Sequence, residues 1–269
     1  MAFSGLSDYA ESLTSPNQFI PFTLGASTTI AGRAYSGWLA KLPSAGAAPT
    51  TAAVPSRTIA GALGQENAST ERLMLSAARF SSTAAGFYVL CDRLSHQGGL
   101  SGNVTTSQTT NLPTAALTRY TGGAEVCMAL EIYTQIGTTA STVSVTYTND
   151  AGTGSRVTPA CVIGGTGFRE VRRMICPPLV AGDLGVRSVE SVIINTTATG
   201  TVGAFGVTLF RPLYGFHIDR VGAQVTFNLL DGGMTGGLPE ILDDACLFWM
   251  FIPDRTSTTV MGTLNLTTK

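Results

Sequence analysis

Charge is what this chain has least of. Asp, Glu, Lys and Arg together make up 12% of its 269 residues, against roughly 25% in an ordinary soluble domain. Lysine is all but absent, with Lys41 and Lys269 the only two, and no basic run occurs. A nucleic-acid groove needs clustered Lys or Arg, so no nucleic-acid partner is expected. Histidine is equally scarce, and only His96 and His217 could supply an imidazole general base. The five cysteines (Cys91, Cys127, Cys161, Cys176, Cys246) contain no CxxC pair, which removes zinc-ribbon and thioredoxin readings. Buried free thiols formed in a reducing cytoplasm are expected instead. The longest apolar run, Ala245 to Ile252, falls far short of the ~20 residues of a spanning helix, so no membrane partner is expected. The opening "MAFSGLSDYAESL" has no basic region followed by an apolar stretch, and no leader is expected there.

What fills the space left by charge is glycine, with 31 residues, together with Thr and Ser. Such a surface is a solubility hazard for a free monomer and suits a protein largely covered by neighbours. Leu6, Tyr9, Ala10 and Leu13 stand at helical spacing, which predicts a short amphipathic helix over Gly5 to Ser15, ended before Pro16. Residues 43 to 64 are rich in Ala, Pro, Gly and Thr, and read either as a flexible linker or as an extended arm ordering against a neighbouring subunit.

From about residue 72 the pattern becomes strand and turn. "GFYVLCDRL" precedes a glycine turn, "HQGGLSGN", and "VSVTYTN" alternates, with Val143, Val145 and Tyr147 on one face. Short β-rich segments follow at intervals of roughly 10 to 15 residues, the signal of an antiparallel sandwich or barrel. No 12-residue crossover helix separates them, which disfavours a parallel sheet. Pro239 to Ala245 predicts one short helix, "CLFWMFI" a buried strand, and "VMGTLNLT" an alternating one.

Candidate chemistry is thin. "ACVIGGTGFREVRR" resembles the first strand and phosphate turn of the extended short-chain dehydrogenases. Gly164 and Gly167 fit the first two glycine slots, but Glu170 stands in the third, where a carboxylate repels phosphate and spoils close packing. Neither lysine can complete a YxxxK pair, so the three glycines are read as a hairpin turn between Cys161–Ile163 and Phe168–Ile175. Cys91, Asp92 and His96 contain nucleophile, orienter and base types, but Cys91 and His96 have opposite strand parity. Glu240, Asp243 and Asp244, with Asp231 upstream, could hold a hard cation, or act as ordinary first-turn dipole partners; no metal or cofactor is expected. Arg119 and Tyr120 in "RYTGG", and Arg169, Arg172 and Arg173 in "GFREVRR", are residue types favoured at interfaces. They read as subunit contacts or as a solvated strand face.

In order, "GGLSG", "ALTRYTGG", "EIYTQIGTT", "YTNDAGT" and "GGTGFRE" resemble the motifs of a group of tailed-bacteriophage structural proteins, over roughly residues 86 to 210. The resemblance implies a virion component without catalytic residues, a capsid decoration (cement) or minor capsid protein made in the host bacterial cytoplasm. It implies the major capsid protein as partner, and a homo-oligomer, trimeric if it sits on local three-fold positions. A tail, collar or baseplate component is the rival in the same class. A glycan-binding adhesion module, with Trp38 and Trp249 stacking on sugars, is the rival in another. The expected fold is mainly β: an antiparallel β-sandwich, jelly-roll-like, with a short N-terminal helix and extended arm. Its expected divisions are 1–70 (helix and arm), 71–215 (sandwich core) and 216–269 (a β-rich segment packing on the core).

Overall fold

The computed structural model describes residues 17–39, 42–68, 71–222, 224–228 and 238–268. The helix expected over Gly5 to Ser15 and the candidate acid Asp231 lie outside the described residues. β-branched and aromatic residues suit a pleated surface, and glycine-rich breaks interrupt them before any helix could propagate. The result is mainly β, with sixteen strands and a single 3₁₀ turn, Leu112–Thr114, among the described residues.

Three sheets form the sandwich. The first runs β1 (Gln18–Ser27), β16 (Thr258–Thr268), β3 (Leu73–Ser82) and β13 (Val225–Asn228), with β14 (Glu240–Ile241) also on β3. The second, central sheet runs β10 (Met174–Ile175), β6 (Cys127–Thr134), β12 (Ala204–Ile218), β4 (Gly86–Leu100), β15 (Leu247–Pro253) and β2 (Tyr35–Ser36). The third runs β5 (Gln108–Thr109), β11 (Val186–Ile194), β7 (Ser141–Asn149) and β8 (Arg156–Val157), with β9 (Cys161–Ile163) also on β7. Every strand pairing among the described residues is antiparallel.

Two hydrophobic clusters join these layers. Phe22 and Phe80 of the first sheet pack on Tyr88, Trp249 and Phe216 of the central one. Val143, Val145 and Tyr147, fully buried as the alternation predicts, pack with Leu130, Phe205 and Val207 at the other end of the central sheet. β15 is the buried strand expected of "CLFWMFI", and on β16 Val260, Leu264 and Leu266 face inward while Met261 stays exposed. Fully burying one such side chain contributes ~1.5–3 kcal/mol, so the two clusters dominate the stabilisation.

Several local expectations are corrected. "HQGGLSGN" is not a turn at its start, because β4 continues through to Leu100. Its glycine serves close approach: a Cβ on Gly98 would lie 2.4 Å from the Pro49 carbonyl, to which the Gly98 N–H donates. The glycines at 164–167 do not close a hairpin. β9 belongs to the third sheet and β10 to the central one, so the segment carries the chain between layers. Gly164, Gly165 and Gly167 all take left-handed backbone (φ 72°, 67° and 86°), and the Gly164 N–H bonds the Phe168 carbonyl, turning the chain away from its own strand. The helix expected over Pro239 to Ala245 is replaced by β14 on β3 and a turn at Asp243–Asp244. Leu75 N–H takes the Pro239 carbonyl, and Asp243 receives the Ala68 N–H.

Residues 42–68 lie against the rest of the chain. Ala53 and His96 exchange backbone bonds, Trp38 Nε1 donates to the Ala47 carbonyl, and Leu63 N–H donates to the Leu247 carbonyl. Gly46 lets this segment cross the Trp38 ring, which a Cβ there would meet at 2.5 Å.

Candidate functional site

Two charged constellations stand out. The first is centred on β4. On β4, Leu90 belongs to the cluster with the first sheet and Leu94 to the cluster with the third; Asp92 and Arg93 sit between them at 0% exposure. Arg93 Nη2 is 2.8 Å from Glu131 Oε2 on β6 and donates to the Tyr133 hydroxyl at 2.7 Å. Its Nε donates to His96 Nδ1 at 2.7 Å. The Thr208 hydroxyl on β12 donates to the same Glu131 oxygen at 2.7 Å. The guanidinium lies over the Trp38 ring, 4.3 Å from its centroid. Beside it, Arg119 grips Asp92 with two bonds of 2.8 and 2.9 Å and also donates to the Pro55 and Arg93 carbonyls. The Cys246 N–H completes the Asp92 shell at 2.8 Å.

Burial pushes the Glu131 carboxyl up, but the Arg93 charge beside it and the hydroxyl donors around it outweigh that, holding it below the usual carboxylate range. Burial, reinforced by the Arg93 charge, drives His96 down to about 2, so the ring is a neutral acceptor. Burial also keeps the Cys91 thiol well above its ordinary value and the Cys246 thiol at about 12. Cys91 bonds the Val89 carbonyl while His96 faces Arg93, so no thiol–imidazole pair forms. What this constellation does is fasten strands β4, β6 and β12 to the segments around Trp38, Pro55 and Arg119.

The second constellation is the loop from Gly164 to Arg173. The Glu170 carboxylate folds back and accepts the Gly167 N–H at 2.8 Å and the Arg169 N–H at 3.2 Å. It occupies the concavity of amide donors that would otherwise suit an anion, which is a direct structural reason that phosphate is not held there. Arg173, 5% exposed, donates to the Gly167, Ala34 and Met174 carbonyls. Arg172, in left-handed backbone (φ 71°), reaches the Gly25 and Leu39 carbonyls. Arg33 lies over the Phe168 ring at 4.5 Å, and Arg169 Nε is buried with no hydrogen-bond partner.

The five residues singled out for interfaces therefore do not form one patch. Arg119 belongs to the buried constellation, and Arg169, Arg172 and Arg173 to the loop. Tyr120 (φ 51°) stacks under Arg211 at 4.3 Å in a cleft of about 240 Å³ with Pro212 and Glu240. Burial pushes its hydroxyl up to about 12. Arg119, Arg172 and Arg173 make their hydrogen bonds inside the chain.

The remaining candidates also resolve locally. Glu240 pairs with Arg72, Asp243 caps Ala68 and Asp244 bonds Asn67. Among the described residues no group of three or more His, Cys, Asp or Glu is arranged to hold a metal. Trp38 and Trp249 are each 1% exposed, so neither offers a sugar platform. Cys176 is at the surface rather than buried. Among the described residues no helix is long and apolar enough to cross a membrane.

Sequence reasoning missed Glu131, Tyr133 and Thr208 as partners of Arg93. The available signal was an adjacent Asp-Arg in the apolar strand "VLCDRL" and a single Glu in "CMALEIY", since an unpaired charge is not tolerated there.

No family model and no curated protein matches the chain. Among solved structures it is similar to the VP2 subviral particle of infectious bursal disease virus, at 7% identity and TM-score 0.21, covering 94% of this chain and 80% of that one. It is likewise similar to the Gt strain of infectious bursal disease virus, at 8% identity and TM-score 0.19, covering 94% and 79%. At these TM-scores the likeness is too slight to bear on function.

Proposed function

We propose that the chain is a non-enzymatic structural protein of a virion, which binds the capsid surface and stabilises it as a homo-oligomeric cement or decoration protein. The observation that carries this reading is an inverted surface. Charges that keep a monomer dispersed are few, and Asp92, Arg93, Arg119, Glu131 and Arg173 are buried. Phe19, Phe87, Leu184, Val202 and Met261 are each more than half exposed. Such a distribution favours lasting contact with neighbours over life as a free monomer. The motif order over residues 86 to 210, which resembles tailed-phage structural proteins, supports the same reading. Many copies on one lattice let modest contacts add through avidity.

Purified protein mixed with shells that lack it is expected to bind saturably to expanded heads and to raise their resistance to heat. Absence of saturable binding to heads, with co-sedimentation on tails instead, would overturn the cement assignment in favour of a tail, collar or baseplate component.

A further inference from the structure

We infer that one copy of this chain docks on the next head to tail, with the arginine loop of one copy on an acidic corner of its neighbour. The inference deepens the proposed function by naming the partner as a second copy, and it rests on that reading.

Arg33 and Arg173 lie on the Phe168 ring and Arg173 also reaches the Tyr35 ring, with Glu170 as the carboxylate near Tyr35, while Arg169 and Arg172 belong to the same loop. That carboxylate is already engaged by two backbone amides. Arg172 and Arg173 are directed at backbone carbonyls, which do not neutralise them. Among the described residues, neither Arg33 nor Arg169 makes an ion pair, and both remain partly exposed. Planar guanidinium groups of this kind recognise carboxylates in pairs of parallel bonds.

The complementary surface is on the same chain. Glu66, Asp243 and Asp244 gather where residues 66–68 meet the turn after β14, with Glu240 on that strand and Glu71 a few residues along the chain; Arg57 pairs with Glu66 and Asp244, Arg72 pairs with Glu240, and Arg211 shares the Glu240 cleft. The Glu66 and Asp244 side chains are 75% and 61% exposed, and Glu71 and Asp243 are also at the surface.

The two surfaces cannot meet within one copy. Gln18, at the start of β1, bonds the Glu66 backbone, while Gly25, near its other end, receives Arg172. Seven residues of strand separate these points, about 23 Å at ~3.3 Å per residue. A surface at one end of the molecule matching a different surface at the other generates a heterologous contact, which closes into a ring when the rotation allows. A nucleic acid fits the loop less well: with Arg172 and Arg173 held on carbonyls, two guanidinium groups are too few for a phosphate track.

The test is sedimentation velocity of the full chain with three variants, each checked for folding by circular dichroism. The wild type is expected to associate, with its apparent dissociation constant rising at least about tenfold between ~0.1 and ~0.5 M salt as screening tightens. Arg33→Glu with Arg169→Glu is expected to be monomeric, as is Glu66→Arg with Glu71→Arg. An equimolar mixture of the two is expected to associate again, since the acidic loop of one then faces the basic corner of the other. Arg33→Gln with Arg169→Gln is the milder pair should reversal disturb the loop, and it is expected to weaken association about tenfold. A wild type that stays monomeric, or variants that associate like it, would overturn the inference. So would a monomeric wild type whose binding to heads or to nucleic acid is lost in the arginine variants. The shell-binding assay stands apart: an oligomer that ignores shells keeps this contact and removes the capsid role.

Discussion

Replacing Glu131 by Gln removes one charge from the buried constellation while keeping the side chain's shape. Arg93, at 0% exposure, would then lose the carboxylate 2.8 Å away and keep the Tyr133 hydroxyl, His96 and the faces of Trp38 and Phe248. Breaking a buried pair by removing one partner costs about 3–5 kcal/mol, because the remaining charge is desolvated without compensation. For a chain of this size that lowers the melting temperature by about 10 °C. Urea unfolding followed by tryptophan fluorescence is the assay, since Trp38 lies on the Arg93 guanidinium and Trp249 in the neighbouring cluster. The midpoint is expected to fall with an unchanged slope, the mark of lost stability rather than a changed unfolded state. Combining Glu131→Gln with Arg93→Met removes both charges and is expected to recover at least half of the loss. The matched surface control is Glu66→Gln, which breaks the exposed pair with Arg57 and is expected to cost under about 1 kcal/mol. A single-variant loss below about 1 kcal/mol, or a double variant as damaged as the sum of its parts, would refute the account of a charge held in place by its partner.

Two further expectations concern particular residues. His96 has its folded-state pKa depressed to about 2, so its contribution is complete above the unfolded value near 6.5 and is lost as pH falls below that, by about 1.4 kcal/mol per pH unit. Stability measured from pH 7 to 4 should show this slope, and His96→Asn should flatten it; an unaltered slope would contradict the assignment. Gly206 faces the β4 backbone so closely that a Cβ would lie 2.0 Å from the Gln97 carbonyl. Gly206→Ala is therefore expected to lose roughly 1–3 kcal/mol, read as a lowered urea midpoint, whereas Gly215→Ala, with nothing within 4 Å, should lose less than half as much.

Much of the architecture was legible because burial in a sheet has a period of two. Val143, Val145 and Tyr147, or Val260, Leu264 and Leu266, announce their inward faces directly. Where strand ends were misplaced, glycine was the cause, whereas the helix expected over Pro239 to Ala245 failed because that segment pairs with β3. Gly98 and Gly164 look alike in a sequence, yet one sits within a strand to admit a neighbouring backbone and the other turns the chain between sheets. Propensity cannot separate these uses, because the determinant is what lies across from the residue. The site was less legible still. Arg119 and Arg173 stand out as unusual in so uncharged a chain, but whether a guanidinium points outward or into Asp92 or a set of carbonyls depends on long-range pairing. Glu131 escapes notice because a single acid in an apolar strand carries no label naming an arginine 38 residues away.

β4 and β12 are each fifteen residues long and lie side by side across the whole central sheet. Each therefore supplies side chains to both hydrophobic clusters. Neither cluster can melt without drawing out strands that the other also needs, so the molecule has no weaker half to open first. That shared pair of strands makes cooperativity a property of the backbone itself.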